Sequence, residues 1–155
     1  MKKLNTYINE AWSGIKQHTN IENIKSWCDD MGIKNYTINS KGEIDVDGSV
    51  DLTYRDFKEL PYKFGVVLYD FELKLNDNLI SLKNCPDCVH GFFTCRGCTS
   101  LDSLEGCPKE VGKLFWCSGC KREFTKEDVQ SLCKVKGDIS INITNVINNT
   151  PPQLR

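Results

Sequence analysis

The chain has 155 residues, enough for one domain with its own apolar core, so neither a metal nor disulfides are needed simply to fold it. Twenty Lys and Arg stand against twenty-one Asp and Glu for a net charge of −1, which lends no support to a nucleic-acid partner held by charge. No apolar run approaches the roughly 18 residues of a membrane span, and Glu10 breaks the apolar stretch that a signal peptide would need, so a cytoplasmic protein with reduced cysteines is expected.

In chain order, Leu4, Tyr7, Ile8, Ala11, Trp12 and Ile15 recur at helical spacing and predict one inward apolar stripe. Thr19 or Asn20 offers an N-cap for a second helix, with Ile21, Ile24, Trp27, Cys28 and Met31 facing inward and Gly32 as its stop. The stretch YTINSKGEIDVDGSVDL then reads as strand, Lys-Gly turn and strand, leading into a further strand at residues 50–52. Residues 1–48 are therefore expected to form a cap of two helices plus a hairpin.

Beyond residue 48 the chain repeats. SLKNCPDCVHGFFTCRGC (81–98) aligns with SLEGCPKEVGKLFWCSGC (103–120) at an offset of 22 without a gap, so that Leu82 meets Leu104, Phe93 meets Phe115 and Cys98 meets Cys120. Upstream, Leu60, Val67, Phe71, Leu73 and Asn76 continue the same columns, and Val50 and Leu52 fit at an offset of 21. Downstream, an offset of 22 sets Cys133, Ile139 and Asn142 beneath Val111, Cys117 and Cys120, giving about four and a half units over 49–144. Thr125 with Asp128 predicts the start of a capping helix at 125–134, with Val129, Leu132 and Cys133 inward. GDISIN reads as a closing strand, and 145–155 as a loose tail.

Each unit reads roughly F-x-[LC]-x-x-[NC]-x-x-L-x-x-L-x-x-C-P, which resembles the leucine-rich repeat. The resemblance implies an α+β repeat: a short solenoid with a parallel β ladder, each end capped. Alternate strand residues face inward, here Phe71 with Leu73, Phe93 with Cys95 and Phe115 with Cys117. The column Asn76, Cys98, Cys120, Asn142 sits beneath the bend, where Asn bonds backbone groups left unpaired and Cys fills the same small volume.

This frame also settles how the C-x-x-C pairs are read. Taken alone they suggest zinc, with Cys95, Cys98, Cys117 and Cys120 as the ligands. Their columns, however, carry Leu73 and Asn76 in the neighbouring unit, so the cysteines read as core fillers; Cys88 alone has no such explanation, since Glu110 is its counterpart. No metal or other cofactor is expected. His18 and His90 lie in unrelated contexts, no nucleophile motif or phosphate-binding loop is present, and no catalytic residue is assigned.

Leucine-rich-repeat solenoids mostly bind proteins through the outward residues of the ladder. The expected face here comprises Glu72, Lys74, Phe92, Thr94, Arg96, Leu114, Trp116 and Ser118, with Trp116 and Arg96 as its anchors. The unit SLEGCPKEVG (103–112) is similar to those of uncharacterised leucine-rich-repeat proteins of tailed bacteriophages and some bacteria. That resemblance implies a phage-encoded protein in the host cytoplasm, acting by binding a host protein such as a defence enzyme. The competing expectations are a zinc-dependent nucleic-acid-binding protein and a virion structural component.

Overall fold

The computed structural model of the chain describes residues 2–141, with side chains placed for all of these except residues 2–5, 7 and 19. The chain divides into two units, Met1–Lys34 and Asn35–Arg155.

The first unit is helical. One continuous helix, α1 (Lys2–Asp30), runs straight through the Thr19–Asn20 step at which the sequence reading starts a second helix. A capping residue favours a helix start by only about 1 kcal/mol, and without Pro or a Gly stop nearby nothing obliges the chain to leave the helix there. The stop at the other end is as expected. Gly32 takes a left-handed φ of 74°, Gly32 N–H donates to Asp29 O at 3.0 Å and Ile33 N–H to Cys28 O at 2.9 Å, which is the Schellman arrangement. Ile24, Cys28 and Ile33 are buried. The first apolar stripe is not: Ile8, Ala11, Trp12 and Ile15 are exposed, Trp12 to 60%. Periodicity identifies a shared helix face, and says nothing of what covers it.

The second unit is a parallel β-solenoid of about four turns. It opens with the expected hairpin, β1 (Tyr36–Ile38) antiparallel to β2 (Ile44–Val46). The Asn39 side chain closes its turn by accepting from Lys41 N–H at 2.9 Å and Glu43 N–H at 3.0 Å. Each later coil contributes two very short strands. The first series is β4 (Phe64–Val67), β6 (Cys88–Val89), β8 (Glu110–Val111) and β10 (Lys134–Val135), and it joins β1 and β2 in a six-stranded sheet. The second is β3 (Val50–Asp51), β5 (Phe71–Glu72), β7 (Phe93–Thr94), β9 (Phe115–Trp116) and β11 (Ile139–Ser140), in a five-stranded, wholly parallel sheet. This second sheet is the ladder that the repeat predicts; the first, built on the return segments, is not foreseen in the sequence.

Register gives each inner residue its own column. Val50, Phe71, Phe93, Phe115 and Ile139 pair in sequence along the second sheet, and Val46, Val67, Val89, Val111 and Val135 along the first. The phenyl rings touch from coil to coil, with Phe71 to Phe93 stacked at 6.1 Å and Phe93 to Phe115 at 5.0 Å. Phe64 meets Phe71 edge-on at 5.0 Å. Leu52, Leu73, Cys95 and Cys117 form the next column inward, all buried, so cysteine does stand in for leucine. Burying each such side chain stabilises the fold by about 1.5–3 kcal/mol. Between the strand and the Asn/Cys column the backbone turns left-handed in the first four coils, at Tyr54, Leu75, Gly97 and Gly119, with φ of 57°, 56°, 71° and 69°.

The last coil departs from the expected offset of 22. Ile139 pairs with Phe115 and Val135 with Val111, an offset of 24, so Ile139 does not lie beneath Cys117 nor Cys133 beneath Val111. The extra length accommodates α2 (Lys126–Leu132), which replaces the return arc of the other coils. Its start is a complete capping box: Thr125 Oγ1 accepts from Asp128 N–H at 3.1 Å, and Asp128 accepts from Thr125 N–H at 2.8 Å. Val129 and Cys133 are buried as predicted, but Leu132 is 46% exposed, since in this short helix only one face turns inward. The expected tail 145–155 and the Asn142 position lie outside the described residues.

Replacing Phe93 with Ala is expected to cost about 3–5 kcal/mol in urea denaturation. Trp116→Ala, on the opposite face of the same sheet, should cost about 1 kcal/mol. Equal losses would mean that the faces are assigned the wrong way round.

Candidate functional site

The outward face of the five-stranded sheet is set by the alternation of its strands. With Phe71, Phe93 and Phe115 inward, Glu72, Thr94 and Trp116 must turn outward, and they lie side by side in register. Two residues on, Lys74, Arg96 and Ser118 form a second outward row, and Phe92 and Leu114 flank the strand starts. Trp116 is half-buried and lies outside the core, which fixes the register of the ladder.

Two features organise this face. The Arg96 guanidinium lies over the Trp116 ring with Cζ 4.5 Å from its centroid, a cation–π contact between adjacent coils. The indole is fixed from its other edge, where Nε1–H donates to Ser118 Oγ at 2.7 Å. One coil before, Glu72 and Lys74 form an ion pair along their own strand. At the edge of the sheet, partial burial raises the Asp51 carboxyl, but the Thr53 hydroxyl at 2.5 Å, the Thr53 N–H at 3.0 Å and the Lys74 charge outweigh it and hold the group below its ordinary value.

Not every expected contact residue is available. Thr94 is fully buried and Ser118 nearly so. Both are small and each has a larger neighbour: Thr94 lies in one row with Glu72 and Trp116, and Ser118 is tied to the indole. Glu72, Lys74, Phe92, Arg96, Leu114 and Trp116 are half-exposed and make up the accessible surface. Alternation alone shows which way a side chain turns, and the size of its neighbours decides whether a partner reaches it.

The cysteines gather differently from a zinc site. Among the described residues no three His, Cys, Asp or Glu side chains are grouped to hold a metal ion. The turn column works as predicted instead. Asn76 Nδ2 donates to Leu52 O in the preceding coil at 2.8 Å and to Leu73 O at 2.7 Å, while its Oδ1 accepts from Arg55 N–H at 2.6 Å. One coil later the Cys98 thiol donates to Leu73 O at 3.1 Å, and one later again Cys120 donates to Cys95 O at 3.4 Å. Burial pushes Cys98, Cys107 and Cys117 up to about 12 from the ordinary 9.0, so they remain thiols at neutral pH. Cys88, unexplained by the repeat, lies half-exposed on the outward face of the six-stranded sheet between Val66 and Glu110.

Comparison with family models, with curated proteins and with solved structures finds no match to this chain. Among the described residues no helix is long and apolar enough to cross a membrane.

The buried thiols imply a pH dependence. Their folded-state values lie above the unfolded value of 9.0, so the stability they contribute is full below pH 9 and is lost as pH rises toward about 12. The urea midpoint should therefore fall between pH 8 and pH 10, by roughly 1 kcal/mol per buried thiol at pH 10. A midpoint unchanged over that range would contradict the burial described.

Proposed function

We propose that the chain is a non-enzymatic protein-binding scaffold whose partner docks on the outward face of the five-stranded sheet. The observation that carries this reading is the Arg96–Trp116 pair, an aromatic and a guanidinium held together at the centre of a mixed polar ladder. Tryptophan and arginine in such settings dominate binding energies, because both offer large contact areas with little conformational freedom left to lose. Phe92 and Leu114 add apolar area beside them, and Glu72 with Lys74 supplies a polar rim.

The resemblance of residues 103–112 to phage and bacterial repeat units supports a more specific reading: a phage-encoded protein that acts in the host cytoplasm by binding a host protein, such as a defence enzyme. Nothing in the arrangement of the thiols favours the zinc-dependent alternative. The balanced charge likewise gives no reason to prefer a nucleic acid.

Pull-down from bacterial lysate with the wild-type chain and with a Trp116→Ala, Arg96→Ala double variant tests the face directly. Loss of two anchors should weaken the specific partner at least 30-fold, equivalent to about 2 kcal/mol, while the thermal transition stays cooperative. Equal recovery of every partner would refute the assignment of this face, and recovery of phage particles alone would point to a virion component.

A further inference from the structure

We propose that Cys95 and Cys120 are an oxidation-sensitive pair that closes into a disulfide between the β6–β7 and β8–β9 coils in the presence of a peroxide-class oxidant. The basis is an irregularity in the turn column. Asn76 and Cys98 both lie under a coil whose inner strand residue is leucine, Leu52 and Leu73, and both are fully buried. Cys120 occupies the same place one coil on, but the inner strand residue above it is Cys95. Its sulfur therefore donates to the Cys95 carbonyl at 3.4 Å and lies beside the Cys95 thiol. Cys120 is also half-exposed, whereas Cys95, Cys98 and Cys117 are buried.

The two thiols are chemically unequal. Contact with the Cys95 thiol lowers the Cys120 thiol below its ordinary value, against the effect of burial, while the same contact followed by burial raises Cys95. The accessible member is thus the one that ionises first, and thiolates are the species that peroxides oxidise. Other cysteines lack this combination. Cys98 and Cys117 are buried and pushed to about 12. Cys88 is half-exposed, but burial and the Glu110 carboxylate raise it.

The Cys120 thiolate attacks one peroxide oxygen, the O–O bond breaks, and the hydroxide released takes a proton to leave as water; Cys120 becomes a sulfenic acid. The Cys95 sulfur then attacks the sulfenic sulfur, the S–S bond forms, and the hydroxyl departs with the Cys95 proton as a second water. Two thiols give up two electrons and the peroxide accepts them. The bridge would join the coil carrying Arg96 to the coil carrying Trp116, directly behind the stacked pair.

The test treats the full-length reduced protein with a few-fold excess of hydrogen peroxide, caps the remaining thiols and maps tryptic peptides without reduction. The expected result is a loss of two of the nine free thiols, with a link from peptide 84–96 to peptide 114–121 whose fragments place it at Cys95 and Cys120. Dithiothreitol should restore all nine. Cys117→Ser should keep the link and Cys120→Ser should abolish it. Cys95→Leu installs the residue that the neighbouring coil carries at Leu73; this variant removes both the partner and the contact that lowers Cys120, so it should form no link and lose thiols more slowly than the wild type at the same peroxide dose. A bridge between any other pair, nine free thiols after treatment, or thiol loss in the Cys95→Leu protein as fast as in the wild type would overturn the proposal.

Discussion

Each inward side chain of the solenoid rests on its counterpart in the next coil, and the rest of the structure follows from that contact. A strand of two residues has almost no stability of its own, since two ladder hydrogen bonds do not offset the entropy of ordering the coil around them. What holds it is the column. Phe93 lies between Phe71 and Phe115, and Val89 between Val67 and Val111, each fully buried. Side chains stack this way only if successive coils keep nearly equal length, so the repeat of 22 residues is a packing requirement. The same condition fixes which residues turn outward, because one step of slippage would bury Trp116 and expose Phe115.

The abundance of cysteine follows from the same geometry. Two columns accept cysteine: the inner strand position and the bend. Leucine fills the first in the earlier coils and asparagine the second, and Asn76 shows what the bend requires, namely donors for the carbonyls of Leu52 and Leu73. A thiol fits either place, as an apolar filler at Cys95 and Cys117 and as a weak donor at Cys98 and Cys120. Two C-x-x-C pairs arise because both columns hold cysteine in two successive coils. Where the columns meet, at Cys95 and Cys120, core packing also brings two thiols together.

Much of this was legible because the columns recur in the sequence itself. The gapless match of 81–98 with 103–120 identified the Phe, Leu and Asn/Cys columns and the outward direction of Trp116 and Arg96. The unread parts share a cause: they leave no periodic trace. The first sheet uses two-residue strands such as Cys88–Val89, too short to display an alternation, although its valine column is present in every coil. Tyr54 and Leu75 take left-handed conformations that only the glycines at 97 and 119 hint at. The two additional residues of the last coil come with α2, an element the repeat pattern does not contain. At the candidate face, direction was readable, but the burial of Thr94 and Ser118 was not, because it depends on neighbours one coil away.

Duplicating one coil tests the central claim, that interchangeable coils stacked in columns make the fold. Inserting a second copy of residues 99–120 after Cys120 adds 22 residues with every column intact. The expected result is a soluble chain with one cooperative urea transition and a steeper dependence on urea, since more surface is buried. A scrambled insert of the same composition should be cut by protease and leave that slope unchanged. If the true copy behaved like the scrambled one, stacking in columns would not be what holds this protein together.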